Sequence, residues 1–448
     1  MAISYLGIAH HNLFLLIISI ILWLVWFATI ILITLPETDH FLQNQLRWLK
    51  RATVVIFFTL IIFGLVEVSF LAGVSSGALD NDELDRIMPG LEAKIDNVYT
   101  YNDSAALCHQ AVENTIDGHN PYAESNIVEA IVIFNLPVDN VTPLRQGRFA
   151  KAFPYPEKDE LEEVWQEAIN YDNNVPEEFE SKLNYPAGSI LLSTPFFQVG
   201  IEDIRIIGFL YILPVLFYVV FRAPRDFRII LAAAILISLE LWSSLINGGA
   251  GFLVFPFMLL AWILWRKHLL LSALFMGLAI SMKQLAWFYL IFYIILILRT
   301  MGLKKSLFVV VIIGGVFLAI NLLFILDDPK LWMSSIFAPL IDNLFPLGIG
   351  IVSFVTAGIV EIQSPLIFAV MEITILVCAV IWYWYYCLRY PYTGLILALI
   401  PLFFAWRSLT AYFLYVDIII LAAIIINEYS LKMPIQLKNE PLPQMVNK

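Results

Sequence analysis

Long apolar blocks constrain this chain more than anything else in it. Stretches at 13–35, 52–74, 204–221 and 366–388 each approach the ~20 residues an α-helix needs to cross ~30 Å of hydrocarbon. Inside lipid every backbone N–H and C=O must find a partner within protein, so only helices and closed barrels can span it. A barrel would read as weakly alternating segments of about ten residues, and the sequence contains none. Of the 448 residues 60% are hydrophobic and 14% charged, well outside the soluble range. The blocks leave room for about 10–12 spans. The expected fold is an all-α polytopic membrane protein with one large α-rich loop domain.

Basic clusters orient the spans, because Lys and Arg collect on the cytoplasmic side. Arg47, Lys50 and Arg51 precede the second span, and Arg222, Arg225 and Arg228 follow the third. Both clusters put the segment between those spans outside. About two-thirds of the 37 acidic residues of this chain, of net charge −11, lie in that segment. The domains expected are 1–74 (two spans), 75–203 (an external acidic loop), 204–426 (the bundle) and 427–448 (a cytoplasmic tail). Further spans are expected at 229–246, 252–265, 269–282, 285–298, 306–326, 395–406 and 412–426. The glycine-rich stretch 347–359 is short and is read as re-entrant; if it spans instead, every later orientation flips.

The acidic balance argues against a nucleic-acid partner, since phosphate backbones require Lys and Arg. Of three cysteines only Cys108 falls in the loop domain, so no disulfide forms within it. No zinc-type Cys/His spacing occurs. The first block has neither a basic leader nor a small-residue cleavage site and reads as a retained span.

Within the loop, 104–116 has helical apolar spacing with Asp103 or Ser104 at its N-cap, and 159–171 reads as a second, charged helix. Asp103 is the sharpest candidate for a general base acting on a hydroxyl; its ordinary reading is a cap. Asp80 and Asp82 compete for the role, and their ordinary reading is a solvated exit loop. Lys283 and Arg407 sit at outer helix ends, against the rule that orients the rest. A charge kept near lipid has a partner or a ligand, and a lipid-linked phosphate suits both: Arg as a forked donor, Lys as a point charge. Snorkelling, or pairing with Glu67 or Glu240, is the plainer explanation. Glu67, Glu240 and Glu372 are acids within apolar helices. Asp103, His109 and His119 form the one set that could hold a divalent cation, although their spacing matches no standard site.

These residues also carry a resemblance. Asn102-Asp103, the Ala-containing helix after it and Gly118-His-Asn-Pro-Tyr122 resemble the first external segment of polytopic glycosyltransferases of the C-type fold, especially glycosyltransferase family 87. Tyr185-Pro186 looks like their later Tyr-Pro element. Gly277-Leu-Ala-Ile-Ser-Met-Lys283-Gln284 is similar to their Lys-containing helix end, and Trp406-Arg407-Ser408 with Tyr412 to their late Arg-Ser element. The match touches a region from about 52 to 426, and each motif is weak alone.

The resemblance implies an inverting transferase without a nucleotide-binding domain. Asp103 would deprotonate the hydroxyl of a lipid, glycan or protein acceptor. That hydroxyl would attack a polyprenyl-phosphate sugar held by Lys283 and Arg407, with Gln284, Tyr122, Asn120 and His119 contacting substrate. No resident cofactor is required, beyond the divalent cation considered above. The chain departs from the pattern by carrying an additional first span and by placing Asp103 well beyond the membrane exit, so Asp80 and Asp82 stay open as bases. A multi-pass transporter and a non-catalytic membrane assembly protein are the alternative functions.

Overall fold

A computed structural model describes residues 2–38, 51–55, 101–124, 141–169, 177–180, 182–238, 253–413 and 415–429, with isolated residues between these stretches. The second expected span (beyond residue 55), Glu67, Asp80, Asp82, Glu240, the glycine turn at 247–251 and most of the tail lie outside the described residues. The described chain is mostly helical. Five helices are long and apolar enough to cross a membrane: Leu13–Thr34, Ile204–Arg222, Leu303–Asp327, Leu366–Tyr386 and the broken segment Thr410–Tyr429. Shorter apolar helices at Val254–Leu264, Leu269–Met282 and Leu285–Met301 stand among them.

The distribution of apolar side chains separates inside from outside. Val311, Leu323, Leu326 and Leu366 are largely exposed, as lipid-facing residues are when the solvent is hydrocarbon rather than water. Val254–Leu264 is buried along almost its whole length and forms the centre of the bundle. Leu269–Met282 packs between it and Leu303–Asp327. Gly277 allows that second contact, because a Cβ there would lie 2.7 Å from the Val316 side chain.

One expected span differs in the structure. The stretch 395–406 does not form one span. It breaks into a short helix, Thr393–Leu397, and a 3-10 turn, Pro401–Phe404, because Pro401 has no N–H to continue the ladder. Across from it, 347–359 is a two-residue strand, β1 (Leu347–Gly348), followed by the one-turn helix Ser353–Thr356, and is too short to span. The two irregular pieces satisfy each other. β1 pairs in parallel with β2 (Arg407–Ser408), and Ile349 N–H donates to Ser408 O at 2.9 Å while Ile351 N–H donates to Phe403 O at 3.1 Å. Irregular backbone at membrane level persists only where protein or water supplies such partners.

Gly348 is required here. Its φ is +131°, and a Cβ would stand 2.1 Å from Ser408 O. The helix Ala2–Ala9, which the apolar blocks did not suggest, folds back along the start of Leu13–Thr34. A Cβ on Gly7 would meet the Leu16 side chain at 2.8 Å, and the Ser4 and Ser19 hydroxyls are hydrogen-bonded.

Candidate functional site

The loop helix runs Asp103–Ile116, and its N-cap is Asn102, not Asp103 or Ser104. Three cap-forming residues stand in a row, and the first takes the role. Asn102 Oδ1 accepts from Ala105 N–H at 2.8 Å and from the Ser104 hydroxyl at 2.9 Å. Asp103 therefore falls on the first helical turn with its carboxylate released from capping. Its Oδ1 accepts from Ser104 N–H at 2.7 Å and its Oδ2 from the Thr142 hydroxyl at 3.1 Å. Burial raises the Asp103 carboxyl above the usual carboxylate range, opposed by those two bonds and by the positive charges of Arg407 and Lys283.

The three principal candidates thus converge from positions 103, 283 and 407. Lys283 follows Leu269–Met282 in an extended conformation, at the break before Leu285–Met301. Its ammonium lies 5.0 Å from the Tyr185 ring centroid. Arg407 stands on β2, and the preceding Trp406 donates its indole N–H to Leu344 O at 2.7 Å. Among the described residues no carboxylate comes within ion-pair distance of Lys283 or Arg407.

Glu180 joins the site without having been anticipated. It faces Arg407, Asp103 and Asp342, and Asn184 donates its side-chain amide to Glu180 Oε1. Burial pushes its carboxyl up to about 7, with Arg407 pulling the other way. Asp103 and Glu180 keep some accessible surface although protein atoms surround them on nearly every side. Tyr185 faces both carboxylates and Tyr412, and Tyr412 faces Arg407, Glu180 and Glu372. Burial pushes the Cys108 thiol up to about 12, so it packs beneath the site as a neutral group.

A run of backbone bonds assembles the site from four distant segments. Glu180 N–H donates to Thr142 O at 3.0 Å, and Leu144 N–H to Glu178 O at 2.7 Å. Arg145 N–H donates to Asn343 O at 2.6 Å, and Leu347 N–H to Trp406 O at 3.3 Å. Isolated bridges join Pro143 to Phe179 and Leu144 to Leu344. The loop domain is thereby stitched to the segment that carries Arg407.

The remaining candidates hold the frame. Gln284 donates to Asn184 O and, at 2.9 Å, to Ile336 O, gripping the turn that presents Tyr185. Tyr122 is fully buried and donates its hydroxyl to Tyr185 O at 2.9 Å. Asn120 accepts from Tyr122 N–H at 3.0 Å and donates to Asp327 Oδ2 at 2.7 Å, docking the loop on the end of Leu303–Asp327. His119 is exposed and pairs with Glu124 at 2.9 Å.

His109 belongs to a different polar knot. Its Nδ1 meets the Tyr101 hydroxyl at 3.2 Å and its Nε2 meets Glu113 at 3.3 Å, while Tyr101 also donates to Asp203 at 3.3 Å. Burial lowers the His109 pKa against the pull of Glu113, Glu202 and Asp203. Asp103, His109 and His119 therefore take separate partners. No group of three His, Cys, Asp or Glu side chains among the described residues could hold a metal ion.

No feature of the local sequence singled out Glu180. It is one of four acids in a nine-residue stretch from Asp172 to Glu180, and only the pairing with Thr142 distinguishes it. No family model, no curated protein and no solved structure matches the chain.

Proposed function

We propose that the chain is a membrane glycosyltransferase moving a sugar from a polyprenyl-phosphate donor to an acceptor hydroxyl at the external face of the cell membrane. The observation that carries this reading is the meeting of Asp103 with two cations, Lys283 and Arg407, with which no carboxylate among the described residues closes an ion pair. A cation withdrawn from water costs several kcal/mol unless paired. An anionic group near them, such as the phosphate of a lipid-linked sugar, would offset that cost.

In the proposed reaction the acceptor O–H gives its proton to the Asp103 carboxylate as the oxygen attacks the anomeric carbon. The bond from that carbon to the phosphate oxygen breaks, and its electron pair leaves with the phosphate. Lys283 and Arg407 stabilise the charge growing on that oxygen, and attack opposite the leaving group inverts the anomeric centre. The bonds from Ser104 and Thr142 aim the carboxylate before substrate arrives. The C-type glycosyltransferase resemblance at Asp103, Lys283 and Arg407 supplies the sugar and the lipid chain in this reading.

The test is incubation of the purified chain in lipid with polyprenyl-phosphate sugars and simple hydroxyl acceptors, followed by mass detection of the glycosylated product. Transfer that disappears in Asp103→Asn supports the proposal, and full transfer by that variant sinks it. A transporter is the second reading, favoured by the broken pieces 347–359 and 393–404, since transporters use broken helices at their sites. Substrate flux into proteoliposomes with no product formed would select it.

A further inference from the structure

A base that takes a proton must lose it again before the next turnover. After transfer, Asp103 would carry that proton beside a lipid phosphate still held on Lys283 and Arg407. We propose that Glu180 is the relay that receives the proton from Asp103 and hands it past Asp342 to bulk water. This proposal rests on the transfer reading above and deepens it, by saying how the site resets.

The geometry supplies the argument. Thr142 touches both carboxylate-bearing residues: its hydroxyl donates to Asp103 Oδ2 at 3.1 Å, and its carbonyl accepts Glu180 N–H at 3.0 Å. The paired strands 142–144 and 178–180 thus hold Glu180 beside the base. Exposure rises along the path, because Asp103 and Glu180 are partly buried whereas Asp342 is exposed. Asp342 follows the helix Pro329–Ile341 and precedes Asn343, whose carbonyl accepts Arg145 N–H. The same backbone lattice therefore places all three acids.

The groups facing Glu180 are Asp103, Arg407, Asp342, Tyr185 and Tyr412. Arg407 favours its charged form, and the other acids favour its neutral one. With its carboxyl near 7, Glu180 can both take and release a proton at neutral pH. In the step itself the Asp103 O–H bond breaks and an O–H bond forms on Glu180, through the Thr142 hydroxyl or a water. Asp103 regains its negative charge. Glu180 then gives the proton to water near Asp342, so charge and protons balance over the cycle.

The test uses the full-length chain in lipid and the transfer assay. Wild-type kcat is expected to rise with pH through about 7, as Glu180 becomes ionised and able to accept. Glu180→Gln should lower kcat by about 10²-fold, leave donor and acceptor KM within a factor of about 3, and lose that inflection. Imidazole or formate added as a small proton carrier should restore part of its rate, and Glu180→Asp should restore the inflection. Asp342→Asn should give a smaller loss with the same rescue. A raised acceptor KM at unchanged kcat, a wild-type pH profile in Glu180→Gln, or a loss that no carrier rescues overturns the relay.

Infrared titration of the lipid-embedded chain is independent of turnover. A smaller carboxyl-band amplitude near 7 in Glu180→Gln than in the wild type is expected, and an unchanged amplitude overturns the proposal. Failure of the transfer reading looks different: Asp103→Asn would keep full activity, whatever Glu180 does.

Discussion

Two pairs of cations, Arg266 with Arg389 and Lys283 with Arg407, meet their acids in opposite ways. Arg266 is bonded to Glu428, which also accepts the Tyr392 hydroxyl at 3.0 Å, and Arg389 is bonded to Glu37. Arg266, Arg389, Tyr392 and Glu428 line a recess of about 160 Å³ with Ile33, Leu35 and Ile424. Lys283 and Arg407 face carboxylates across space without closing an ion pair. Paired charges cement helices, and each has its demand already met. Open charges hold their field for something that arrives, and this contrast is what the transfer proposal builds on.

The comparison can be broken by exchanging the expected consequences. The largest effect should follow Asp103→Asn, which leaves packing intact and removes the base. Transfer should fall by about 10³-fold with Tm unchanged, measured by product formation and thermal unfolding in lipid. Next, Arg407→Ala should cost about 10²-fold in kcat/KM for the lipid donor, whereas Arg266→Ala should leave kcat/KM intact and lower stability by about 1 kcal/mol. If Arg266→Ala alone abolished transfer, the division between paired and open charges would fail.

A subtler variant moves Arg407 without altering charge. Gly348→Ala must displace Ser408, because the new Cβ would meet its carbonyl oxygen, and donor KM should rise by about tenfold. Tyr122→Phe removes one bond to the turn presenting Tyr185 and should lower stability by about 1 kcal/mol with a small change in rate. His119→Ala should do least, within about twofold in kcat/KM, since His119 pairs with Glu124 at the surface.

Lys283 and Arg407 were legible in the sequence because they violate a pattern the chain otherwise obeys, namely basic residues on one side. Asp103 was legible as an acid at a helix start, but its capping role was misassigned. Asn102, Asp103 and Ser104 all cap well, and only the backbone angle at residue 102 separates them. Gln284, Tyr122 and Asn120, expected as substrate contacts, spend their polar groups largely on holding backbone. Glu180 and Thr142 were hidden because each is ordinary in its own neighbourhood. Their meaning lies in a strand pairing between segments almost forty positions apart.

The sequence by itself determined that this chain makes long apolar helices, because the bilayer imposes a local rule, ~20 uncharged residues with every backbone group paired. It also determined that a polar, acidic loop interrupts them. Only the tertiary structure decided that 347–359 and 393–408 answer each other's backbone, and that Asp103 comes near Lys283, Arg407 and Glu180. Those contacts join residues up to three hundred positions apart, and no periodicity in the chain encodes them. Hydrogen bonds between irregular segments set them, and they form only once the surrounding helices have packed.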